Sequence, residues 1–197
     1  MAVGRRPRTH DIGLETVGLE PGRYIEVDDQ LRATGVPGGW LYAIGDCNGR
    51  SLLTHMGKYQ GRIATDAIRG RTMEAWADHW AVPRVIFTDP EVASVGLTER
   101  AAGDRGLEVR TVSYPVGSVA AASVGGEGIA GTAHLVIDEC QRVVVGATFT
   151  GPDIAELLHS ATIAIAGAVP LDLLWHAVPA FPTFSEVWLR LLEAYGL

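Results

Sequence analysis

An apolar run that stops at a carboxylate is the most informative pattern in the chain. Residues 41–44 carry no charge, Gly45 and Asp46 follow, and a helical pattern begins at about Leu52. A short buried strand with a carboxylate at its carboxyl end and a helix start beyond it is typical of ligand sites in α/β folds. Asp46 would accept hydrogen bonds from sugar-like hydroxyls, and the helix start would offer unpaired N–H groups. A plain turn has the same pattern.

The helix after this turn is predicted over residues 52–68, because apolar side chains recur at helical spacing. Gly57 and Gly61 lie within it, and a glycine costs about 1 kcal/mol relative to alanine inside a helix. Two such residues predict a close approach, either of a neighbouring backbone or of a ligand. Shorter elements are predicted upstream: a strand over 1–8, a short helix or loop over 12–19, and a half-exposed strand over 24–28 that could pair with 31–34.

The second half of the chain predicts an antiparallel sheet with helices. The alternating patterns indicate strands over 85–88, 92–97, 109–114, 133–137 and 143–147, the last two forming a hairpin. Residues 71–82 are predicted to be a linker, and residues 116–130 to be irregular. Asp153 with Glu156 three residues later predicts a capping box at the start of an apolar-striped helix. Further helices are predicted at Thr98, over 171–175 and over 183–195.

Composition excludes several classes of function. A net charge of −7 argues against nucleic acid or an anionic membrane as a partner. No apolar stretch reaches the roughly 18 residues of a membrane helix, and no signal peptide leads the chain. Cys47 and Cys140 form no paired motif, and no histidine pair has ligand spacing, so we expect no metal site and a reduced, cytoplasmic setting. Cys47 is either a reactive thiol or, as we favour, incidental.

Three short motifs give the stretch around Asp46 a family resemblance. Residues 2–7 read Ala-Val-Gly-Arg-Arg-Pro, residues 42–46 read Tyr-Ala-Ile-Gly-Asp, and Gln60-Gly61 follows one helix later. Together they resemble the second FAD-binding segment of the pyridine nucleotide-disulfide oxidoreductases. The resemblance implies that Asp46, after Gly45, holds the ribityl chain of FAD. It also implies that Leu53, Thr54 and His55 direct backbone N–H groups toward the flavin.

The resemblance continues to the end of the chain and implies two domains. Residues 87–98, Phe-Thr-Asp-Pro-Glu-Val-Ala-Ser-Val-Gly-Leu-Thr, are similar to the start of the family's interface domain. We therefore expect an α+β chain, with a remnant of the FAD-binding α/β domain over 1–82. An antiparallel-sheet-plus-helices dimerisation domain is expected over 83–197, forming a homodimer. The match covers nearly the whole chain, but only about the last two-fifths of a family member.

The segment before the last helix resembles the signature that closes the family's sequences, in which a histidine precedes Pro-Thr and a glutamate follows. In that family the glutamate orients the histidine, which exchanges protons with the active thiol of the other subunit. Thr183 and Glu186 match, but Phe181 stands where the histidine is expected, and a phenyl ring cannot transfer a proton. His176 is either a substitute base or a helix-end histidine, and Glu186 is either catalytic or only a helix-terminal charge.

The sequence leaves two functional hypotheses open, because it has neither a redox cysteine pair nor a GxGxxG loop between a strand and a helix. The chain is either the C-terminal part of an FAD/NAD(P)H electron-transfer reductase, with a separate N-terminal flavoprotein chain, or a stand-alone, cofactor-free homodimer. The latter would bind, cyclise or isomerise a small apolar metabolite in the vacated flavin groove, with His55, His176 and Glu186 as candidate catalytic residues. A third alternative is a dimer that binds partners and catalyses nothing. A start at Met1 favours the second hypothesis, whereas its position in a predicted core strand favours the first.

Overall fold

The computed structural model describes residues 3–197 and divides into two compact units, the first ending at His79 and the second spanning Trp80–Leu197. The strand predicted over residues 1–8 lies partly outside the described residues, at positions 1 and 2. Residues 3–8 have no regular secondary structure, so the strand prediction is wrong for them.

The first unit is built on one long helix. Helix α1 (Thr54–Ile68) confirms the helix predicted after the turn, starting two residues later than expected. A 3-10 helix over Leu14–Val17 confirms the short element predicted there, and a second 3-10 helix covers Gly45–Asn48. The segment predicted as a linker contains a short helix, α2 (Ala77–Trp80).

The strands predicted in the first unit are reduced to isolated bridges. Val27 pairs with Ala33, as the sequence predicted, and Arg32 pairs with Tyr42, but neither pair extends into a ladder. Leu31 has a φ of 68°, which turns the chain sharply between the first two segments. Residues 41–44 contain a single bridge, at Tyr42, and only Ala43 is buried, so they are not the regular buried strand that was predicted.

The second unit confirms the predicted α+β class. Within residues 80–197 a five-stranded antiparallel sheet has the order β1-β2-β5-β4-β3. Its strands are β1 (Arg84–Ile86), β2 (Glu91–Gly96), β3 (Val109–Pro115), β4 (Thr132–Asp138) and β5 (Val143–Gly151). The predicted hairpin is confirmed as β4 and β5, which pair directly from Ala133–Phe149 to Asp138–Val143.

Helices cover this sheet through its apolar side chains. They are α3 (Glu99–Asp104), α4 (Ala120–Gly125), α5 (Ile154–Ala166), α6 (Leu171–Leu174) and α7 (Glu186–Tyr195). Helix α5 packs on β2 and β5, and α7 packs on β3 and β4. Phe149 of β5 is fully buried, with its ring centroid 6.2 Å from that of Trp188 on α7. Helix α4 lies in the segment predicted to be irregular, so that prediction is wrong; a run of small residues gave no clear apolar stripe.

The capping box predicted at α5 is also wrong. Asp153 precedes the helix with a φ of 55°, and its side chain makes no capping hydrogen bond. Instead, Oε2 of Glu91 accepts a hydrogen bond from the backbone N–H of Ala155 at 3.1 Å. The acceptor for the helix start therefore comes from β2, a distant part of the sequence, which local spacing could not reveal.

Among residues 3–197, no helix is both long enough and apolar enough to cross a membrane. The same residues contain no group of three or more His, Cys, Asp or Glu side chains placed to hold a metal ion.

Candidate functional site

The turn that carries Asp46 presents its carboxylate to solvent. The side chain of Asp46 is 60% exposed, and its Oδ2 lies 3.4 Å from Nη1 of Arg5. The same Arg5 nitrogen donates to the carbonyl oxygen of Leu52 at 2.6 Å. A solvent-exposed pair of this length contributes little to stability. The carboxylate can therefore accept hydrogen bonds from an incoming ligand.

The glycines of helix α1 bring this turn close to the helix. Gly45 has a φ of 73°, in the left-handed region that favours glycine. A Cβ built on Gly57 would lie 3.3 Å from the Cα of Gly45, and one built on Gly61 would lie 3.6 Å from Cδ1 of Ile44. The close approach expected at these glycines is therefore made by this chain's own turn.

A buried polar cluster lies beneath the turn, and the sequence analysis did not identify it. The side chain of Gln60 is fully buried, and its Oε1 accepts hydrogen bonds from the backbone N–H of Gly45 at 2.7 Å and from Nδ2 of Asn48 at 2.9 Å. Its Nε2 donates to Oδ2 of Asp78 at 2.8 Å. The available signal was a polar residue on the apolar face of α1, since Met56 and Ile63 on that face are also buried.

Arg50 connects this cluster to a second carboxylate. Its guanidinium lies 3.4 Å from Oδ2 of Asp78 and 3.1 Å from Oδ1 of Asp29, which also lies 2.7 Å from Nε2 of His79. Burial raises the pKa of Asp78, although hydrogen bonds from Gln60 and Arg50 oppose that shift. The pKa of Asp29 is lowered, chiefly by the hydrogen bond from His79. The two carboxylates that contact Arg50 therefore have pKa values shifted in opposite directions from that of an ordinary aspartate, upward for Asp78 and downward for Asp29.

The start of helix α1 has no side-chain cap from its N-cap residue. Leu53 is the N-cap residue and provides no side-chain hydrogen bond, while Thr54 and His55 in the first turn are exposed. The first N–H groups of a helix have no partner within the helix, and they favour electronegative ligand atoms. Gly45, Asp46, Leu53, Thr54 and His55 all belong to the first unit.

A groove of about 480 Å³ adjoins Asp46, and the side chains of Arg5, Tyr24 and Leu52 are among those that line it. Cys47 also lines it, but its Sγ donates to the carbonyl oxygen of Ile44 at 3.2 Å. Burial raises the pKa of the Cys47 thiol, which disfavours the thiolate. This geometry supports an incidental thiol rather than a reactive one.

The remaining candidate residues lie in the second unit. Glu186 is buried at the start of α7, where Oε2 accepts from the backbone N–H of Ala120 at 3.2 Å and Oε1 accepts from Nη2 of Arg190 at 2.7 Å. His176 is exposed just beyond α6, and its backbone N–H donates to the carbonyl oxygen of Leu173. Phe181 is 78% exposed. Both oxygens of Glu186 are engaged by Ala120 and Arg190, an arrangement that stabilises the start of α4.

The antiparallel sheet of the second unit and its packed helices match a known family of domains. A family model described as "Pyridine nucleotide-disulphide oxidoreductase, dimerisation domain" matches residues 82–192. The chain belongs to this family.

Relatives of known name match almost the whole chain. It is 36% identical over 190 residues to dihydrolipoyl dehydrogenase of Chlamydia muridarum, covering 95% of this chain and 40% of that protein. It is 34% identical to the Bacillus subtilis enzyme over 194 residues, covering 98% and 40%. The chain therefore spans about 40% of the length of these relatives.

Solved structures give the same match in three dimensions. LpdA from Mycobacterium tuberculosis superposes with a TM-score of 0.84 at 26% identity, covering 97% of this chain and 41% of that one. RclA from Escherichia coli, an HOCl-induced flavoprotein disulfide reductase, superposes with a TM-score of 0.82 at 24% identity, covering 98% and 44%. The resemblance inferred from the motifs is thus confirmed.

Proposed function

We propose that this chain forms the C-terminal part of an FAD/NAD(P)H electron-transfer reductase. Residues 1–82 complete the flavin site, and residues 83–197 form the interface of a homodimer. The observation that carries the proposal is the exposed Asp46 carboxylate near a helix start whose N-cap residue, Leu53, provides no side-chain hydrogen bond, in a chain whose relatives include dihydrolipoyl dehydrogenases. The dinucleotide loops come from a part of the protein outside these residues, either the same polypeptide or a separate flavoprotein chain.

The residues around Asp46 fit the central part of FAD. The Asp46 carboxylate is an acceptor for hydroxyl groups of a sugar-alcohol chain, and the first-turn N–H groups of α1, beginning at Thr54, are donors for the carbonyl oxygens of a flavin ring. FAD, when bound, supplies the hydride and electron transfer. Gly45 and Gly57 contact each other, so their part is to place the turn on the helix rather than to leave room for the cofactor.

The electron-transfer reaction proposed here does not use a thiol relay on this chain. Phe181 stands at the position that matches the family's histidine, and its ring has no group that exchanges a proton. Both carboxylate oxygens of Glu186 accept hydrogen bonds within this chain, one from the backbone N–H of Ala120 and one from Arg190, which gives the glutamate a structural role. Quinone-like acceptors that take electrons directly from a flavin suit this site better than disulfides do.

An apolar surface on the second unit supports the homodimer. A groove of about 370 Å³ lies between α5 and the segment leading to α7, lined by Ile163, Leu174 and Trp188 among others. Large apolar side chains stand exposed on the same segments: Ile163, Leu173, Trp175, Val178 and Phe181. Exposed large apolar side chains beside an apolar groove are the kind of surface that protein interfaces cover. None of the described contacts favours the cofactor-free cyclase or isomerase alternative.

The proposal is tested by titrating the protein with FAD and following flavin fluorescence. We expect weak, saturable binding, because the phosphate-binding loop lies outside this chain, and we expect tighter binding when the N-terminal portion of a dihydrolipoyl dehydrogenase is added. Asp46→Asn should weaken binding by about tenfold, as expected for a charge-assisted hydrogen bond. Glu127→Gln, the same chemical change at an exposed site, is the matched control. Absence of binding in both formats, or equal affinity of wild type and Asp46→Asn, contradicts the proposal.

A further inference from the structure

We propose that Gln60 is a positioning residue that sets the orientation of the Gly45-Asp46 turn, and that Asp78 fixes the orientation of the Gln60 amide. The proposal rests on the proposed function only in taking the turn as a ligand site. The positioning itself is a property of this chain and can be measured without a ligand.

The partners of Gln60 determine which way its amide faces. Its oxygen lies within 2.9 Å of two donors, the backbone N–H of Gly45 and Nδ2 of Asn48, and its nitrogen lies 2.8 Å from a carboxylate oxygen of Asp78. A flipped amide would place donors against donors and an oxygen against a carboxylate. Because the side chain is fully buried, water cannot replace the lost hydrogen bonds.

The same amide oxygen holds the turn at two points. Gly45 begins the 3-10 helix and Asn48 ends it, so Gln60 bonds to both ends of the element that carries Asp46. Asn48 also donates to the carbonyl oxygen of Ala43, the residue before Ile44. Within residues 3–197 the one ion pair of the Asp46 side chain is its 3.4 Å contact with Arg5, so the backbone of the turn strongly influences where its carboxylate points.

The charged groups around Asp78 explain why an amide rather than a carboxylate suits position 60. The Asp78 side chain is 1% exposed and pairs with Arg50, which also contacts Asp29, and Asp29 contacts His79. A glutamate at position 60 would place a second carboxylate at about the same 2.8 Å from Asp78. Two buried carboxylates at hydrogen-bond distance share a proton, so Gln60→Glu would make the turn sensitive to pH.

The test measures the Gly45 amide by ¹⁵N NMR and hydrogen exchange in the ligand-free protein. We expect Gln60→Met to raise the exchange rate of the Gly45 amide by about tenfold, the loss of one hydrogen bond, while amides of α7 keep their protection. In Gln60→Glu the chemical shift of the Gly45 amide should change with pH. The double variant Gln60→Glu/Asp78→Asn should abolish that titration, because the introduced asparagine amide then donates to the new carboxylate and one negative charge is retained.

A purely structural role for Gln60 would alter stability without producing a titration that the double variant removes. Unchanged Gly45 exchange in Gln60→Met, or a pH profile of Gln60→Glu that the second substitution leaves intact, overturns the proposal. If Asp46→Asn weakens FAD binding while Gln60→Met does not, the positioning role fails and the proposed function stands. If Asp46→Asn leaves FAD binding unchanged, the proposed function fails, and the Gly45 measurements alone decide the role of Gln60.

Discussion

Gly57 packs directly against Gly45 in the first unit, and a Cβ built on Gly57 would lie only 3.3 Å from the Cα of Gly45. The contact joins the first turn of α1 to the residue that opens the Asp46 turn. This close contact explains why the helix has a glycine at position 57, although glycine lowers the intrinsic stability of a helix.

The two helix glycines should respond differently to alanine. Gly61→Ala should stabilise the protein by up to about 1 kcal/mol, since its Cβ makes an ordinary contact of 3.6 Å with Ile44. Gly57→Ala should lose that gain or destabilise, because backbone atoms of the turn must move. Urea unfolding of both variants measures the difference. Equal stabilisation by both substitutions would mean that the Gly45–Gly57 approach does not limit the helix.

The sequence predicted the elements whose signals are local and missed those that depend on distant partners. Helical periodicity located α1, and alternation located the strands of the second unit. Gln60 and Asp78 are 18 residues apart, so their pairing depends on tertiary structure that periodicity does not contain. The spacing of Asp46 and the start of α1 was visible because both lie in one continuous stretch.

The start of α5 gives a prediction that separates a local cap from a distant one. Asp153→Gly should be neutral or stabilise by up to about 1 kcal/mol, because glycine adopts a φ of 55° without strain. Glu91→Ala should cost about 1 kcal/mol, typical of losing a helix cap. Chemical denaturation tests both. A large loss of stability in Asp153→Gly with no effect of Glu91→Ala would restore the capping box.

The stability of the first unit should depend on pH through two aspartates, Asp78 and Asp29, whose pKa values are shifted in opposite directions. Burial raises the pKa of Asp78 above 3.8 in the folded protein. The stability that Asp78 contributes is therefore complete at a pH below its pKa in the unfolded chain, and is lost as the pH rises through its pKa in the folded protein. Asp78→Asn should therefore gain stability relative to wild type as the pH rises. The hydrogen bond from His79 lowers the pKa of Asp29, so the contribution of Asp29 is lost as the pH falls through its folded value.

Urea midpoints measured from about pH 3 to pH 7 test this pair of predictions. Asp29→Asn should lose stability relative to wild type as the pH rises, the reverse of Asp78→Asn. Arg50 contacts both carboxylates, so the double variant need not show the sum of the two effects. Parallel pH profiles for the two single variants would contradict the assignment.

Glu186 should behave as a structural acceptor. Glu186→Ala should cost about 1 kcal/mol, because the backbone N–H of Ala120 loses its partner at the start of α4. Glu186→Gln should retain most of that stability, since its amide oxygen can still accept the bond. Thermal unfolding compares the two variants. If Glu186→Gln is as unstable as Glu186→Ala, the charge on the glutamate matters more than the hydrogen bond.

The apolar surface beside the α5 groove should determine the oligomeric state. Val178 is 84% exposed on that surface, and a carboxylate placed there would have to be desolvated when two copies associate. We expect Val178→Asp to weaken self-association by about tenfold or more, measured by sedimentation velocity over a dilution series. Val124→Asp is the matched control, because Val124 is 76% exposed on α4, a helix that does not line the groove. Equal dissociation by both variants would place the interface elsewhere, whereas dissociation by Val178→Asp alone locates it at the groove.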